Sequence, residues 1–156
     1  MMSTKTNPSN PSLEPLRVLA GRWDMELRWS PQTHALVGGP ATARGAARFE
    51  WVEDGHFLVL HQGPEDGSSA ARWLIGRDET SGEYSVLYAD ARGVSRVYRM
   101  TLEERVWRIW RDAPGFSQRF EGRLSADGRT VEGHWEKSAD GTTWERDFEQ
   151  TYVKTD

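Results

Sequence analysis

The residues best suited to metal binding or acid–base chemistry form a charged group near the C-terminus. Glu132, His134 and Glu136 alternate along one predicted strand, so their side chains share one face of it. A carboxylate–imidazole group of this kind can hold a metal ion or transfer protons. Gly133 and Trp135 take the opposite, apolar face, and we therefore expect the charged group to lie on the solvated outside of a sheet.

The next predicted strand continues this pattern, because Glu145, Asp147 and Glu149 alternate with the aromatic residues Trp144 and Phe148. A site on a wet outer face lacks the burial that tunes pKa values for catalysis. We expect neither a catalytic residue nor a metal ligand in this group.

Two further histidines, His56 and His61, lie an odd number of residues apart on one predicted strand. Their side chains then point to opposite faces and cannot chelate the same metal ion. An inward His61 is able to ligate a haem iron or act as a base. A hydrogen-bonded structural histidine is the alternative that we favour.

Composition excludes several other kinds of chemistry. The chain of 156 residues contains no cysteine, which excludes disulfides, thiolate nucleophiles and zinc–thiolate sites. We find no nucleophile elbow, Rossmann fingerprint or phosphate-binding glycine loop. A formal net charge of −4 without a basic cluster predicts that neither nucleic acid nor an anionic membrane is a partner. No apolar run is long enough for a signal peptide or a membrane span, so we expect a cytoplasmic protein.

One short helix is predicted near the N-terminus, over residues 12–20. Ser12 is a suitable N-cap, Pro15 falls early in the segment, and Gly21 follows as a C′ residue. The polar residues 1–11 before it are interrupted by prolines and are predicted to form a flexible tail. The apolar side of the helix comprises Leu13, Leu16, Val18 and Leu19.

The rest of the chain alternates between apolar and polar residues, as strands with one buried face do. The stretch GRWDMELRW, residues 21–29, is typical, with Trp23 and Trp29 on its apolar face. Turn dipeptides such as Asp127-Gly128 separate the runs. The predicted strands are 22–30, 43–53, 56–62, 71–77, 83–89, 94–102, 105–111, 116–125, 129–137 and 143–154.

Almost every predicted strand has one wet face, which indicates a single sheet curled around one interior. We predict an all-β fold: a single closed antiparallel meander barrel of about ten strands. The short helix covers one end of the barrel. Residues 12–156 then form one lipocalin-like domain behind the tail of residues 1–11.

The predicted interior combines aromatic rings with a few polar side chains. Gln118, Arg146 and Gln150 fall on inward faces, where an unpaired amide costs about 1–3 kcal/mol. They must bond one another, water or a ligand, and an apolar pocket with a few polar groups is the usual form of a small-molecule site. The predicted ligand-contacting residues are Trp29, Trp51, Trp73, Tyr88, Tyr98, Gln118, Phe120, Trp135 and Arg146.

Small residues on the same inward faces predict that the interior is partly empty. Ala43, Gly45 and Ala47 follow one another on one strand, and Gly122 and Gly133 lie on two others. Eight tryptophans, several of them predicted to be inward, would form rigid walls opposite this space. We therefore expect small apolar molecules to enter the barrel.

The helix leading into Gly21-Arg22-Trp23 resembles the G-x-W signature of lipocalins and the wider calycin group. Residues 116 to 152 are similar to a bacterial family, domain of unknown function 1579. The resemblance covers residues 12 to 154. It implies a calycin-like barrel in which Trp23 packs at the closed end. It also implies a late-strand arginine over that ring, for which Arg146 is the candidate by its face.

The resemblance also bears on cofactors. Nitrobindin-like haem barrels carry G-x-W-x-G-x-G, whereas Met25 and Leu27 stand at the two later glycine positions here. We therefore expect no haem, and no flavin or transition metal either.

Three functions are compatible with these residues. The first, which we favour over an enzyme, is a binding protein for a small, mostly apolar molecule, with aromatic molecules among the candidate ligands. The second is a barrel enzyme of isomerase or cyclase type with Tyr or Arg as proton donor. The third is an interaction protein without a ligand that forms a homodimer through exposed apolar residues. Trp107 and Trp110 have opposite parity, so one of them is expected to face outward.

Overall fold

The computed structural model describes residues 8–156, which form a closed barrel of ten antiparallel strands. The strands are β1 (Gly21–Trp29), β2 (Thr42–Val52), β3 (Phe57–Gly63), β4 (Ala71–Arg77), β5 (Tyr84–Asp90), β6 (Ser95–Glu103), β7 (Val106–Arg111), β8 (Ser117–Leu124), β9 (Thr130–Ser138) and β10 (Glu145–Lys154). Each strand pairs with the next one along the chain, and β1 closes the barrel by pairing with β10. The predicted all-β meander barrel is confirmed.

The predicted strand ends agree closely with the observed ones, because turn dipeptides mark them. Asp127-Gly128 lies between β8 and β9, and Asp140-Gly141 lies between β9 and β10. Both glycines adopt a left-handed φ, 72° at Gly128 and 80° at Gly141. Glycine tolerates this conformation without strain, so the chain reverses direction tightly there.

The N-terminal helix is a 3-10 helix over Pro11–Leu19. Its N-cap is Asn10, whose side chain accepts a hydrogen bond from the Ser12 backbone N–H at 3.0 Å. The expectation that Ser12 is the cap is therefore wrong. Side chains three residues apart superimpose along a 3-10 helix, so a single row of leucines faces the barrel. The buried row consists of Leu13, Leu16 and Leu19.

Residues 1–7 of the predicted flexible tail lie outside the described residues. Residues 8–10 precede the helix, and the Ser9 backbone N–H donates a hydrogen bond to the Gly55 carbonyl at 3.0 Å. The helix and the connection between β2 and β3, which includes a short turn at Glu53–Gly55, therefore lie at the same end of the barrel. We call this the closed end.

A second helix, α1 (Pro31–Val37), was not predicted. Ser30 is its N-cap and accepts a hydrogen bond from the Thr33 backbone N–H at 3.2 Å. Pro31 occupies the first turn, and Gly38 follows the last one. The α1 helix lies in the connection from β1 to β2, at the end of the barrel opposite the N-terminal helix. We call this the open end.

Strand β10 contains a β-bulge between Arg146 and Phe148. Arg146 pairs with Glu136, whereas Phe148 pairs with Trp135, so Asp147 is the extra residue. A bulge of this kind changes the face on which the preceding residues lie. The predicted alternation is correct after the bulge and wrong before it.

The core fills the barrel from the closed end toward the open end. Trp23, Phe49 and Trp107 are almost completely buried, together with the leucines of the N-terminal helix. Among the described residues, no helix has the length and apolar character that crossing a membrane requires.

Candidate functional site

Trp23 closes the barrel beneath the N-terminal helix. Its indole N–H donates a hydrogen bond to the Leu19 carbonyl at 2.9 Å. The Lys154 Nζ lies 5.3 Å from the centre of the Trp23 ring, which is cation–π distance. The cation over this tryptophan is therefore Lys154, and the expectation that Arg146 takes this position is wrong.

Four of the predicted ligand-contacting residues form one aromatic cluster in the open half of the barrel. The Trp73 ring lies 4.6 Å from Tyr88, 5.1 Å from Tyr98 and 6.1 Å from Trp135, measured between ring centres. Trp73 belongs to β4 and Trp135 to β9, so this contact crosses the barrel. Trp73, Tyr98 and Trp135 form a floor across the interior, and the partly exposed Tyr88 lies beside it.

Two of the predicted inward amides bond to rings of this floor. The Tyr98 hydroxyl donates to Gln118 Oε1 at 2.6 Å, and the Trp135 indole N–H donates to Gln150 Oε1 at 3.0 Å. Both glutamines are buried. Each buried amide oxygen therefore accepts a hydrogen bond from an aromatic side chain, which replaces the hydrogen bond to water that it loses on burial.

A third glutamine, Gln62, also hydrogen-bonds to a ring of the floor and was not predicted from the sequence. Its Oε1 accepts from the Trp73 indole N–H at 2.7 Å, and its amide nitrogen donates to the Tyr152 hydroxyl at 2.8 Å. Gln62 has the same parity as the buried Leu58 and Leu60 on β3. That parity was the sequence signal that could have identified it.

Phe120 lies opposite Trp135 in the pairing of β8 with β9 and occupies space that the glycines were expected to leave empty. A Cβ added to Gly122 would lie 2.8 Å from the Phe120 ring, and one added to Gly133 would lie 2.6 Å from it. At Gly45, an added Cβ would lie 2.5 Å from the Gly63 carbonyl oxygen. The expectation of free space beside these glycines is wrong, because an aromatic ring or neighbouring backbone already fills it.

Trp29 and Trp51 are not part of the floor. Trp29 lies at the open end of β1, where its ring centre is 5.1 Å from that of Phe148. Trp51 is buried near the closed end, opposite Leu58, and its indole N–H has no hydrogen-bond partner in the part of the chain that the structure describes. The structure therefore separates these two tryptophans by much of the length of the barrel.

Arg146, predicted to face inward, lies on the outside of the barrel. Its side chain is exposed and lies 3.5 Å from the Glu149 carboxylate. Trp144, also expected inside, packs on the outer face with the Arg119 guanidinium 4.0 Å from its ring centre. Both expectations are wrong because the bulge at Asp147 reverses the face of the residues before it.

The histidine and carboxylate group lies on the outer surface, as predicted, apart from Asp147 and from Glu145, which precedes the bulge and pairs with the inward position Lys137. Glu136 pairs with Arg119 at 2.8 Å on the outer face.

His61 also faces outward, where its Nε2 lies 2.8 Å from Glu50 Oε1, so an inward His61 is excluded. His56 precedes β3, which begins at Phe57.

Asp147 is buried where it anchors α1 to the barrel. Its Oδ1 accepts from the Thr33 hydroxyl at 2.9 Å, and its backbone carbonyl accepts from the Ser30 N–H at 3.0 Å. Lys137 Nζ lies 3.5 Å from the same carboxylate. The bulge thus directs one carboxylate toward α1, where a cation and a hydroxyl compensate its charge.

Two arginines at the open end were not predicted as site residues. Arg96 on β6 has the parity of Tyr98, and Arg111 on β7 has the parity of Trp107, so both face inward. Each is partly buried. The same alternation that identified Tyr98 could have identified Arg96.

Burial controls the protonation of the phenols in this half of the barrel. It raises the pKa of Tyr98 above its ordinary value, although the nearby Arg96 and Arg111 guanidiniums oppose the shift. Burial also raises the pKa of Tyr88 to about 12, with a further contribution from its hydrogen bond to Asp90. Both hydroxyls are therefore protonated at neutral pH.

Comparison with solved structures finds proteins of similar fold. Among the solved structures with a similar fold is the crystal structure of Rv2717c from M. tuberculosis, with a TM-score of 0.60 and 15% sequence identity. The match covers 94% of this chain and 99% of that one. At this identity the likeness defines the fold alone. No family model and no curated protein matches the chain.

Proposed function

We propose that the protein binds a small, mostly apolar molecule with an aromatic part at the open end of the barrel. The supporting observation is the gradient of exposure along the inward faces. Most inward residues of the closed half are buried, whereas Trp29, Tyr88 and Phe148 at the open end are partly exposed. Aromatic walls with a few fixed polar groups are the usual surroundings of a small-molecule ligand.

The ligand would rest on the aromatic floor of Trp73, Tyr98 and Trp135. Because the Gln62, Gln118 and Gln150 amides bond to these rings, the floor is rigid before a ligand arrives. A preformed surface of this kind loses little conformational entropy on binding.

Binding is a better proposal than the isomerase or cyclase alternative, because the buried phenol is a poor proton donor. An efficient general acid has a pKa near the working pH. The Tyr98 hydroxyl donates to Gln118, and its pKa is raised by burial. Both features keep its proton in place.

A fluorescence titration with N-phenyl-1-naphthylamine, a neutral aromatic probe, tests the proposal. We expect saturable enhancement of probe emission and quenching of tryptophan emission, with a Kd below about 100 μM, equivalent to about −5.5 kcal/mol. Tyr88→Ala removes one wall of the open end and should weaken binding about three- to tenfold.

The neighbouring Leu87 offers a matched control, because it lies on the outer face of the same strand and is 49% exposed. Leu87→Ala should leave probe binding unchanged. Absence of binding to the wild-type protein, or equal weakening by both substitutions, would refute a site inside the open end.

A homodimer is the second candidate function, and an apolar area on the outer face of β3 to β6 supports it. Leu74 pairs with Leu87, and Leu87 pairs with Val97, so the three side chains form a row, and Phe57 lines the same shallow surface. Their exposure ranges from 38% at Phe57 to 68% at Val97. Contiguous exposed apolar residues often mark an interface.

Trp110, the outward residue of the predicted pair Trp107 and Trp110, lies on β7 beyond this row and is covered by the Arg99 guanidinium at 5.5 Å. The row, not Trp110, is therefore the proposed dimer surface. Light scattering of the wild-type protein and of Leu87→Lys tests it: a dimer that becomes a monomer supports the interface, and a monomeric wild type refutes it.

A further inference from the structure

Two guanidinium groups are held at the open end by aromatic rings. The Arg96 Cζ lies 5.7 Å from the centre of the Tyr88 ring and 5.2 Å from that of Phe116. The Arg111 Cζ lies 5.9 Å from the centre of the Tyr98 ring. Cation–π contacts orient a guanidinium through its flat face, which leaves the N–H groups at its edge able to donate hydrogen bonds.

These two arginines have no carboxylate partner. Other arginines of the barrel do: Arg92, at the same end, lies 2.6 Å from Asp90, and Arg108 on the outer face lies 2.8 Å from Glu121. Among residues 8–156, neither Arg96 nor Arg111 takes part in an ion pair. The open end therefore carries two arginines without an ion-pair partner, although the chain as a whole has a net charge of −4.

Gln118 adds a third donor beside them. It lies directly opposite Arg111 in the pairing of β7 with β8. Its Oε1 accepts from the Tyr98 hydroxyl, whereas its amide nitrogen has no hydrogen-bond partner in the described part of the chain. The residue is only 8% exposed, but this amide nitrogen is not one of the fully buried unpaired atoms, so a ligand at the open end can reach it.

The unpaired groups that Arg96, Arg111 and Gln118 offer in this corner are all donors. A guanidinium has no acceptor, and the Gln118 amide oxygen already accepts a hydrogen bond from Tyr98, which leaves its amide nitrogen as the unpaired atom. A group that offers only acceptors and carries negative charge complements such a set best. Partial burial strengthens this attraction, because the local dielectric constant is lower than that of water.

We propose that Arg96, Arg111 and the Gln118 amide bind an oxyanion attached to the aromatic ligand, so that the natural ligand is an amphipathic organic acid. This proposal rests on the proposed binding function and specifies its ligand class. The apolar body would lie on the ring floor, and the oxyanion would lie toward the β6–β8 side of the open end.

Two probes with the same aromatic framework separate the two contributions. 1-Anilinonaphthalene-8-sulfonate carries an oxyanion, and N-phenyl-1-naphthylamine lacks it. At low salt we expect the sulfonate to bind at least about tenfold more tightly, and added salt should reduce only this advantage. The double variant Arg96→Gln/Arg111→Gln should weaken sulfonate binding about tenfold or more while changing the neutral probe by less than about twofold.

Arg28 provides the matched control, because it is exposed on the outer face of the open end of β1. Arg28→Gln makes the same change of charge and side-chain type and should leave both probes unaffected. Arg96→Lys/Arg111→Lys keeps the charge and should retain part of the preference for the sulfonate. Thermal unfolding confirms that each variant is folded at the titration temperature.

The outcomes distinguish this proposal from the binding function itself. Equal affinity of the wild-type protein for both probes, or equal effects of Arg28→Gln and the double variant, overturns the oxyanion site and leaves the apolar site standing. Failure of both probes to bind overturns both. A phenyl phosphate and a benzoate competitor then show which oxyanion the site prefers.

Discussion

The two tryptophans of β1 show how differently the ends of this barrel are built. Trp23 and Trp29 lie on the same face of one strand, six residues apart. Trp23 is 1% exposed, donates its indole N–H to Leu19 and lies beneath Lys154. Trp29 is partly exposed and contacts Phe148 at its edge. Identical residues on one face thus have a structural role at one end and an accessible position at the other.

The helices that cover the two ends explain this difference. The N-terminal helix inserts Leu13, Leu16 and Leu19 into the closed end, where all three are fully buried. The α1 helix is attached through polar contacts of Thr33 and leaves Leu36 80% exposed. An apolar plug excludes water, whereas a helix anchored by hydrogen bonds covers only part of the opening.

The largest expected effect is at the closed end. Trp23→Ala should lower the free energy of unfolding by about 3–5 kcal/mol, because it removes a fully buried ring and leaves a cavity. Denaturant unfolding measures the loss. A change within about ±0.5 kcal/mol, as for surface substitutions, would show that this end is not the core of the barrel.

Between the two ends, where Phe120 packs against Gly133, an added methyl group should destabilise the protein. In Gly133→Ala the new Cβ would lie 2.6 Å from the Phe120 ring and 3.0 Å from the Glu121 carbonyl oxygen. We expect a loss of about 1–3 kcal/mol in denaturant unfolding. In a Phe120→Leu background the additional cost should shrink, and full additivity of the two substitutions would contradict the proposed contact.

Trp29→Ala supplies the direct comparison with Trp23→Ala. Because Trp29 is partly exposed, we expect a loss of only about 1 kcal/mol in unfolding free energy. The same variant should reduce the change in tryptophan emission on probe binding. A loss as large as that of Trp23→Ala would mean that the open end is as dry and tightly packed as the closed end.

The smallest effect is an optical one and concerns all four tyrosines. Burial raises the pKa of each above the ordinary value near 10, and that of Tyr88 to about 12. Folding therefore favours the neutral phenols. This contribution to stability is complete below about pH 10 and is lost as the pH rises through the higher folded-state values.

Ultraviolet absorbance of tyrosinate tests this expectation. At about pH 10 the native protein should show little tyrosinate, whereas the protein in denaturant should be about half ionised. Tyr88→Phe should remove the ionisation near pH 12. If the tyrosinate absorbance of the native protein rises with pH in the same way as that of the denatured protein, the phenols are exposed to water and the prediction is wrong.

Much of the barrel could be predicted because its determinants are local. Alternation assigns a residue to a face wherever a strand is regular, and Asp-Gly turns mark the strand ends. The inward positions of Trp73, Tyr98 and Trp135 follow directly. Spacing of the leucines also located the N-terminal helix, although its cap and its 3-10 form depend on backbone hydrogen bonds.

The sequence by itself thus determined the all-β class, the number of strands and the aromatic character of the interior. The tertiary structure alone decided the face of Arg146 and Trp144, because a bulge depends on the pairing of β10 with β9. It alone decided that α1 forms, since a helix of seven residues is stable only against the barrel. It alone decided that Phe120 fills the space over Gly133, because packing depends on which residues of distant strands meet.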